Sequence, residues 1–137
     1  MSNSPLRIGI AGLGTVGGGV IKLLNGQASL LSARCGRDIV VTAVSARDRS
    51  KDRGVDLSGY TWYDDAVDLA SDDNVDVVTE LIGGEDGVAK ALVEAAINNG
   101  KHIVTANKAL IAHHGTALAK SAEAANVAIA FEAAVAG

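Results

Sequence analysis

The sequence contains few cysteine, aromatic and proline residues, and it has no long basic or apolar run. Because Cys35 is the single cysteine, no internal disulfide can form, and we expect a reducing, cytoplasmic compartment. The net charge of −4, without a basic run, predicts no nucleic-acid partner. Since no long apolar segment follows a basic start, we expect neither a signal peptide nor a membrane span.

The composition indicates one globular domain over residues 1–137, with 48% hydrophobic and 20% charged residues. Aromatic residues make up only 3%, so the core must consist of Val, Ile, Leu and Ala, as in a buried parallel sheet. The apolar patterns predict strands at 6–11, 39–44, 60–63, 75–81, 102–105 and 127–131. They predict helices at 15–24, at 64–70, at 86–99 and, broken near His114 and Gly115, at 107–126. Residues 27–34 either extend the first helix or form a second one.

This alternation of strands and helices predicts an α/β fold of the Rossmann type. Each strand–helix–strand unit is expected to be right-handed, which makes neighbouring strands parallel. The expected architecture is doubly wound, with a mainly parallel sheet and helices on both of its faces.

A glycine-rich motif, GLGTVG at residues 12–17, follows the first predicted strand and opens the first predicted helix. In that context Gly12 permits a tight turn, Gly14 lets the backbone approach a pyrophosphate, and Gly17 lets the helix pack closely on the strand. The helix N-terminus would then present its free N–H groups to the phosphates. The motif predicts a dinucleotide site, although a glycine-rich turn without a ligand is the alternative.

The end of the second predicted strand bears on the choice of nucleotide. An acidic residue there usually binds the ribose 2′-hydroxyl of NAD. This chain has Arg47 at that place, followed by Asp48, and a guanidinium suits a 2′-phosphate. We therefore predict that NADP(H) is preferred and that NAD(H) can also bind. The alternative is that Arg47 is a surface charge.

Two later stretches make a family resemblance specific: VTELIGG at residues 78–84 and TANKA at residues 105–109. Together with GLGTVGGGV at 12–20 and EAAVAG at 132–137, they resemble homoserine dehydrogenases from Leu6 to Gly137. The resemblance implies hydride transfer between NAD(P) and the pair L-homoserine and L-aspartate 4-semialdehyde, on the route to threonine, methionine and isoleucine. It also implies a substrate-binding domain beyond residue 137 that forms a homodimer, and an inactive 1–137 fragment.

The resemblance further implies a set of site residues. Lys108 corresponds to a catalytic lysine that reaches both cofactor and substrate. The implied cofactor contacts are Gly12, Leu13, Gly14, Thr15, Val16, Gly17, Arg47, Ile82, Gly83, Thr105, Asn107 and Lys108. Part of a site for a monovalent cation, such as sodium, is implied at Glu132, Val135 and Gly137.

Other polar residues are predicted to be structural. The adjacent His113 and His114 are expected on a solvated helix end, because neighbouring helical residues point in different directions. The acidic pairs at 64–65, 72–73 and 85–86 are expected to cap helix starts. Two other functions stay open: a different oxidoreductase, such as a dihydrodipicolinate reductase or an inositol-dehydrogenase-like enzyme, and a non-catalytic NAD(P) sensor.

Overall fold

A computed structural model describes residues 4–47, 54, 56–82 and 87–131. Its strands are β1 (Leu6–Ala11), β2 (Ile39–Ser45), β3 (Thr61–Tyr63), β4 (Val77–Glu80), β5 (His102–Thr105) and β6 (Ile129–Phe131). Its α-helices are α1 (Thr15–Gly26), α2 (Ala28–Cys35), α3 (Val88–Asn98) and α4 (Lys108–Ala125), and a 3₁₀ helix covers Ala66–Ser71. The six predicted strands are therefore all present: β1 and β5 have the predicted ends, β2 is one residue longer, and β3, β4 and β6 are shorter.

The six strands form one sheet in the order β3-β2-β1-β4-β5-β6, and every neighbouring pair is parallel. The chain runs outward from β1 to β3, then crosses back and continues from β4 to β6 on the other side. The reversal lies between β1 and β4, which is the topological switch point where doubly wound folds bind ligands. This order confirms the predicted Rossmann-type fold.

Two apolar clusters cover the two faces of the sheet. On one face, residues such as Leu92, Ile103 and Leu110 pack between the sheet, the 3₁₀ helix, α3 and α4. On the other face, Ile21 of α1 packs against Ile10 and against neighbouring strand residues. Helices therefore lie on both faces, as predicted, and aliphatic side chains dominate both clusters.

Helix α4 corrects one prediction, because it runs without interruption from Lys108 to Ala125 and includes the expected break near His114 and Gly115. A glycine inside a helix costs only about 1 kcal/mol relative to alanine. Burial of apolar side chains from both halves of α4, namely Leu110 and Leu118, outweighs that cost. Ala28–Cys35 form a separate helix, α2, after Gln27 and do not extend α1.

The acidic pairs are only partly the helix caps that the sequence predicts. The Asp65 side chain accepts a hydrogen bond of 3.0 Å from the Val67 N–H at the start of the 3₁₀ helix, as expected. Asp72 instead follows that helix, where it accepts hydrogen bonds from the Asn74 N–H and from the Tyr63 hydroxyl. The bond to Asp72 raises the pKa of Tyr63. The pair at 85–86 lies outside the described residues.

Candidate functional site

The carboxyl ends of four strands bring the predicted cofactor residues to one edge of the sheet. The glycine motif follows β1, and Ile82 follows β4, the neighbour of β1. Arg47 follows β2 on one side, and Lys108 follows β5 on the other. Because open α/β sheets bind ligands at this edge, the topology places all four segments around one candidate crevice.

Gly12 and Gly17 are required by the packing of the protein itself. Gly12 has a φ of 98°, and a Cβ on it would lie 2.8 Å from the backbone carbonyl of Leu81. A Cβ on Gly17 would collide with the carbonyl oxygen of Gly12. Gly12 thus permits close approach between the β1 and β4 loops as well as a turn, and Gly17 lets α1 pack closely on the loop.

Gly14 has no such requirement within the protein. It is exposed, its φ of −72° is accessible to any residue, and a Cβ on it would have no heavy atom within 4 Å. The residue also stands at the N-cap of α1, where first-turn N–H groups lack intrahelical acceptors. A glycine that the fold does not need, at a helix N-terminus, fits a position that a phosphate approaches closely.

The remaining residues of the glycine motif are in place at the start of α1. Thr15 and Val16 open the helix. The Leu13 side chain is buried in the apolar cluster that contains Ile10 and Ile21, so that side chain stabilises the loop. Arg47 is exposed and lies two residues after the end of β2, while Asp48 lies outside the described residues.

Lys108 is the first residue of α4, and its side chain is exposed at the carboxyl edge. The preceding Asn107 is buried, and its side-chain oxygen accepts a hydrogen bond of 3.0 Å from the Leu110 N–H, which caps the helix. A cation in the first turn opposes the helix dipole, so helix stability does not explain a lysine at this position.

Glu80 is a buried carboxyl group at the same edge of the sheet, and the sequence analysis did not single it out. It is the last residue of β4 and is 0% exposed. One of its carboxyl oxygens accepts a hydrogen bond of 2.6 Å from the Thr105 hydroxyl, and the other accepts one of 2.8 Å from the Ile82 N–H. The signal in the sequence was an acidic residue near the end of the apolar run VDVVTEL at 75–81.

Some predicted residues fall outside the described part of the chain. Gly83 and the predicted cation ligands Glu132, Val135 and Gly137 belong to this group. Across the ranges that the structure describes, no three His, Cys, Asp or Glu side chains lie together as a metal site. No helix in those ranges has both the length and the apolar character of a bilayer span.

Two of the three histidines lie inside a helix, and the third begins a strand. His113 and His114 are not at a helix end, as predicted, but inside α4, because that helix continues without a break to Ala125. Their ring centroids are 6.3 Å apart and the rings are tilted by 49°. His102 begins β5, and its Nδ1 accepts a hydrogen bond of 3.0 Å from the Ala128 N–H. That bond lies at the amino end of β5, away from the candidate crevice.

Sequence comparison identifies the family. The family model described as "Homoserine dehydrogenase, NAD binding domain" matches residues 12–132. The homoserine dehydrogenases of Neisseria gonorrhoeae and Pseudomonas aeruginosa are each 47% identical to the chain over 133 residues. These alignments cover 97% of the chain and 30% of each relative, so the chain spans about a third of the length of the curated relatives that it matches.

Solved structures agree with this comparison. The homoserine dehydrogenase of Thiobacillus denitrificans has a TM-score of 0.88 at 38% identity, over 96% of this chain and 30% of that one. The enzyme of S. aureus at pH 6.0 has a TM-score of 0.85 at 36% identity, over 96% of this chain and 33% of that one. The chain therefore belongs to the homoserine dehydrogenase family and corresponds to its NAD-binding domain.

Proposed function

We propose that the chain binds NADP(H) at the carboxyl edge of its sheet, within an enzyme that interconverts L-homoserine and L-aspartate 4-semialdehyde. The observation that carries the proposal is the arrangement of the glycine loop. Gly12 and Gly17 are held by packing, whereas Gly14 between them faces open space at the N-terminus of α1. This combination of a rigid loop and one exposed glycine suits close approach of a pyrophosphate.

In this proposal, different residues at the carboxyl edge of the sheet bind different parts of the cofactor. The N-cap Gly14 and the first turn of α1, from Thr15 to Gly17, hold the pyrophosphate through main-chain N–H groups. Arg47 forms charge-assisted hydrogen bonds with a 2′-phosphate, which is why we propose a preference for NADP(H) over NAD(H). Leu13, Ile82, Gly83, Thr105 and Asn107 line or support the crevice toward the nicotinamide. The cofactor, when bound, accepts a hydride from the carbon that carries the substrate hydroxyl.

Lys108 acts on the substrate in this proposal. Its ammonium group donates a hydrogen bond to the hydroxyl oxygen and so positions and polarises it. The exposed position of Lys108 at the carboxyl edge supports this assignment. It also favours an enzyme over a non-catalytic sensor, because a sensor needs no lysine there. The family match favours homoserine oxidation over the chemistry of dihydrodipicolinate reductases.

The proposal extends to the surroundings of the domain. We propose a cytoplasmic homodimer, formed through residues outside this chain, that serves threonine, methionine and isoleucine synthesis. The exposed thiol of Cys35 suits a reducing compartment. Glu132, Val135 and Gly137, just after β6, would offer a carboxylate and main-chain carbonyls to a monovalent cation such as sodium.

The deciding experiment is a homoserine oxidation assay on the full-length protein. We expect L-homoserine and NADP⁺ together to yield NADPH, and we expect a smaller kcat/KM with NAD⁺. A protein that binds NADPH but never oxidises homoserine would support the sensor function instead. A protein that binds neither nucleotide would contradict the assignment of the glycine loop.

A further inference from the structure

Glu80 and Thr105 form a buried polar pair at the carboxyl edge of the sheet. They are the last residues of β4 and β5, and the strand register places them directly opposite each other. Each residue is 0% exposed. Burial of a carboxyl group is unfavourable unless hydrogen bonds replace those made with water. An aliphatic residue at position 80 would avoid the cost of burying a carboxyl group. Packing alone therefore does not explain why glutamate is found there.

The hydrogen bonds of this pair reach the main chain of two loops, the one after β4 and the one after β5. One carboxyl oxygen of Glu80 accepts a hydrogen bond from the Ile82 N–H, which holds the first turn of the loop after β4. The other oxygen accepts a hydrogen bond from the Thr105 hydroxyl. The Thr105 oxygen in turn accepts a hydrogen bond of 3.1 Å from the Asn107 N–H, immediately before Lys108. One buried carboxyl group thus connects the main chain at Ile82 with the main chain at Asn107.

The same connection continues into the helix that carries the lysine. The Asn107 side chain caps α4 through the Leu110 N–H, and Leu110 is completely buried. The start of α4 is therefore held on one side by its cap and on the other by Thr105. The position of the Lys108 main chain follows from these two attachments, because Lys108 is bonded directly to Asn107.

We propose that Glu80 and Thr105 are positioning residues, which fix the loop at Ile82 and the base of Lys108 relative to each other. This inference rests on the proposed function for its effect on turnover. A misplacement of about 1 Å at a catalytic group can cost about 10²-fold in rate. Glu80 holds both loops, whereas the Thr105 hydroxyl holds only the lysine side. The two residues therefore have different expected effects.

Replacement of the two residues separates these effects. Thr105→Val keeps the shape of the side chain but removes the hydroxyl, while the bond between Glu80 and the Ile82 N–H remains. Glu80→Gln places one amide oxygen and one NH₂ group where the carboxylate has two accepting oxygens. Both the Ile82 N–H and the Thr105 hydroxyl donate to that group, so the substitution must disturb at least one of these bonds.

The test uses the full-length protein and measures NADPH Kd by fluorescence titration, kcat and KM for L-homoserine, and the thermal midpoint. For Thr105→Val we expect kcat to fall about tenfold to a hundredfold, with a smaller change in NADPH Kd. For Glu80→Gln we expect kcat to fall similarly and NADPH Kd to rise as well. Thr105→Ser, which keeps the hydroxyl, should restore most of the lost kcat.

Thr42→Val is the matched control. Thr42 is also a strand threonine, and its hydroxyl donates a hydrogen bond of 2.7 Å to the Asn74 carbonyl, away from the crevice. Its replacement should lower the thermal midpoint while kcat and NADPH Kd stay at the parent values. If Thr105→Val behaves like Thr42→Val in all measurements, the pair is structural only and the proposal is wrong.

Two further outcomes are decisive. If Thr105→Val does not fold, Thr105→Ser is compared with Thr105→Ala, and equal losses of kcat in both would overturn the role of the hydroxyl. If the parent protein fails to oxidise homoserine, the proposed function is wrong. The NADPH titration still tests the pair in that case, because Glu80→Gln must weaken binding more than Thr105→Val does.

Discussion

Replacement of Gly14 by alanine separates cofactor binding from folding. A Cβ on Gly14 would meet no heavy atom within 4 Å, and its φ of −72° suits alanine. Alanine also restricts the unfolded chain, which stabilises a protein by about 0.4–1 kcal/mol at a compatible site. Alanine is also a poorer N-cap residue than glycine, and this effect opposes the gain. We therefore expect Gly14→Ala to change the free energy of unfolding by less than about 1 kcal/mol.

The same methyl group should interfere with the cofactor. It would occupy the open space beside the N-terminus of α1, where we propose that the pyrophosphate lies. Loss of one charge-assisted hydrogen bond costs about 1.5–3 kcal/mol. This cost corresponds to a rise in NADPH Kd of about tenfold to a hundredfold. The measurement is a fluorescence titration with NADPH, combined with thermal unfolding of the same samples.

Gly19→Ala is the control for this substitution. Gly19 lies within α1, is exposed, and also has no heavy atom near the position of a Cβ. Alanine there should stabilise the helix by about 0.5–1 kcal/mol and leave NADPH Kd unchanged. If Gly14→Ala binds NADPH as tightly as Gly19→Ala does, no pyrophosphate lies against Gly14. The inference that the open space beside Gly14 receives the pyrophosphate would then be wrong.

Three further predictions concern single side chains. Lys108→Ala should lower kcat/KM for homoserine by about 10²-fold or more, with little change in the thermal midpoint; near-normal turnover would contradict its role. Arg47→Ala should raise the Kd of NADPH about tenfold and leave that of NADH unchanged, and equal effects on both would make Arg47 a surface charge. The hydrogen bonds from Arg7 hold the pKa of Asp76 below its usual range. The extra stability of the parent over Asp76→Asn should thus be complete above about pH 4 and disappear as pH falls further, as urea unfolding at several pH values would show.

The strands of the sheet could be predicted from the sequence, because the buried strands are short runs of β-branched and aliphatic residues. Leu6–Ala11 and His102–Thr105 were predicted with the observed ends. The break predicted in α4 was wrong, because local preference for a break at Gly115 is weaker than burial of Leu110 and Leu118. Tertiary packing of this kind is not contained in a local pattern.

The residues of the candidate site could be predicted from the sequence only where they belong to a recognisable sequence motif. Lys108 and the glycine loop belong to recognisable stretches, and the structure places them at the same edge of the sheet. The role of Glu80 depends on the register that sets it opposite Thr105, 25 positions later. Such a pairing follows from strand order, which the sequence does not show directly.

The packing of Gly12 against Leu81 has a consequence for how the domain folds. The Leu81 N–H donates a hydrogen bond of 2.8 Å to the Ala11 carbonyl at the carboxyl ends of β1 and β4. At the amino ends of the same two strands, the contact of Arg7 with Asp76 spans 69 positions. Such long-range contacts form late, because closure of a long loop must precede them. We therefore expect the loop at residues 12–17 to acquire its final shape only after β4 has joined β1. During synthesis, NADPH affinity should appear only once β4 has left the ribosome, long after the glycine motif itself has emerged.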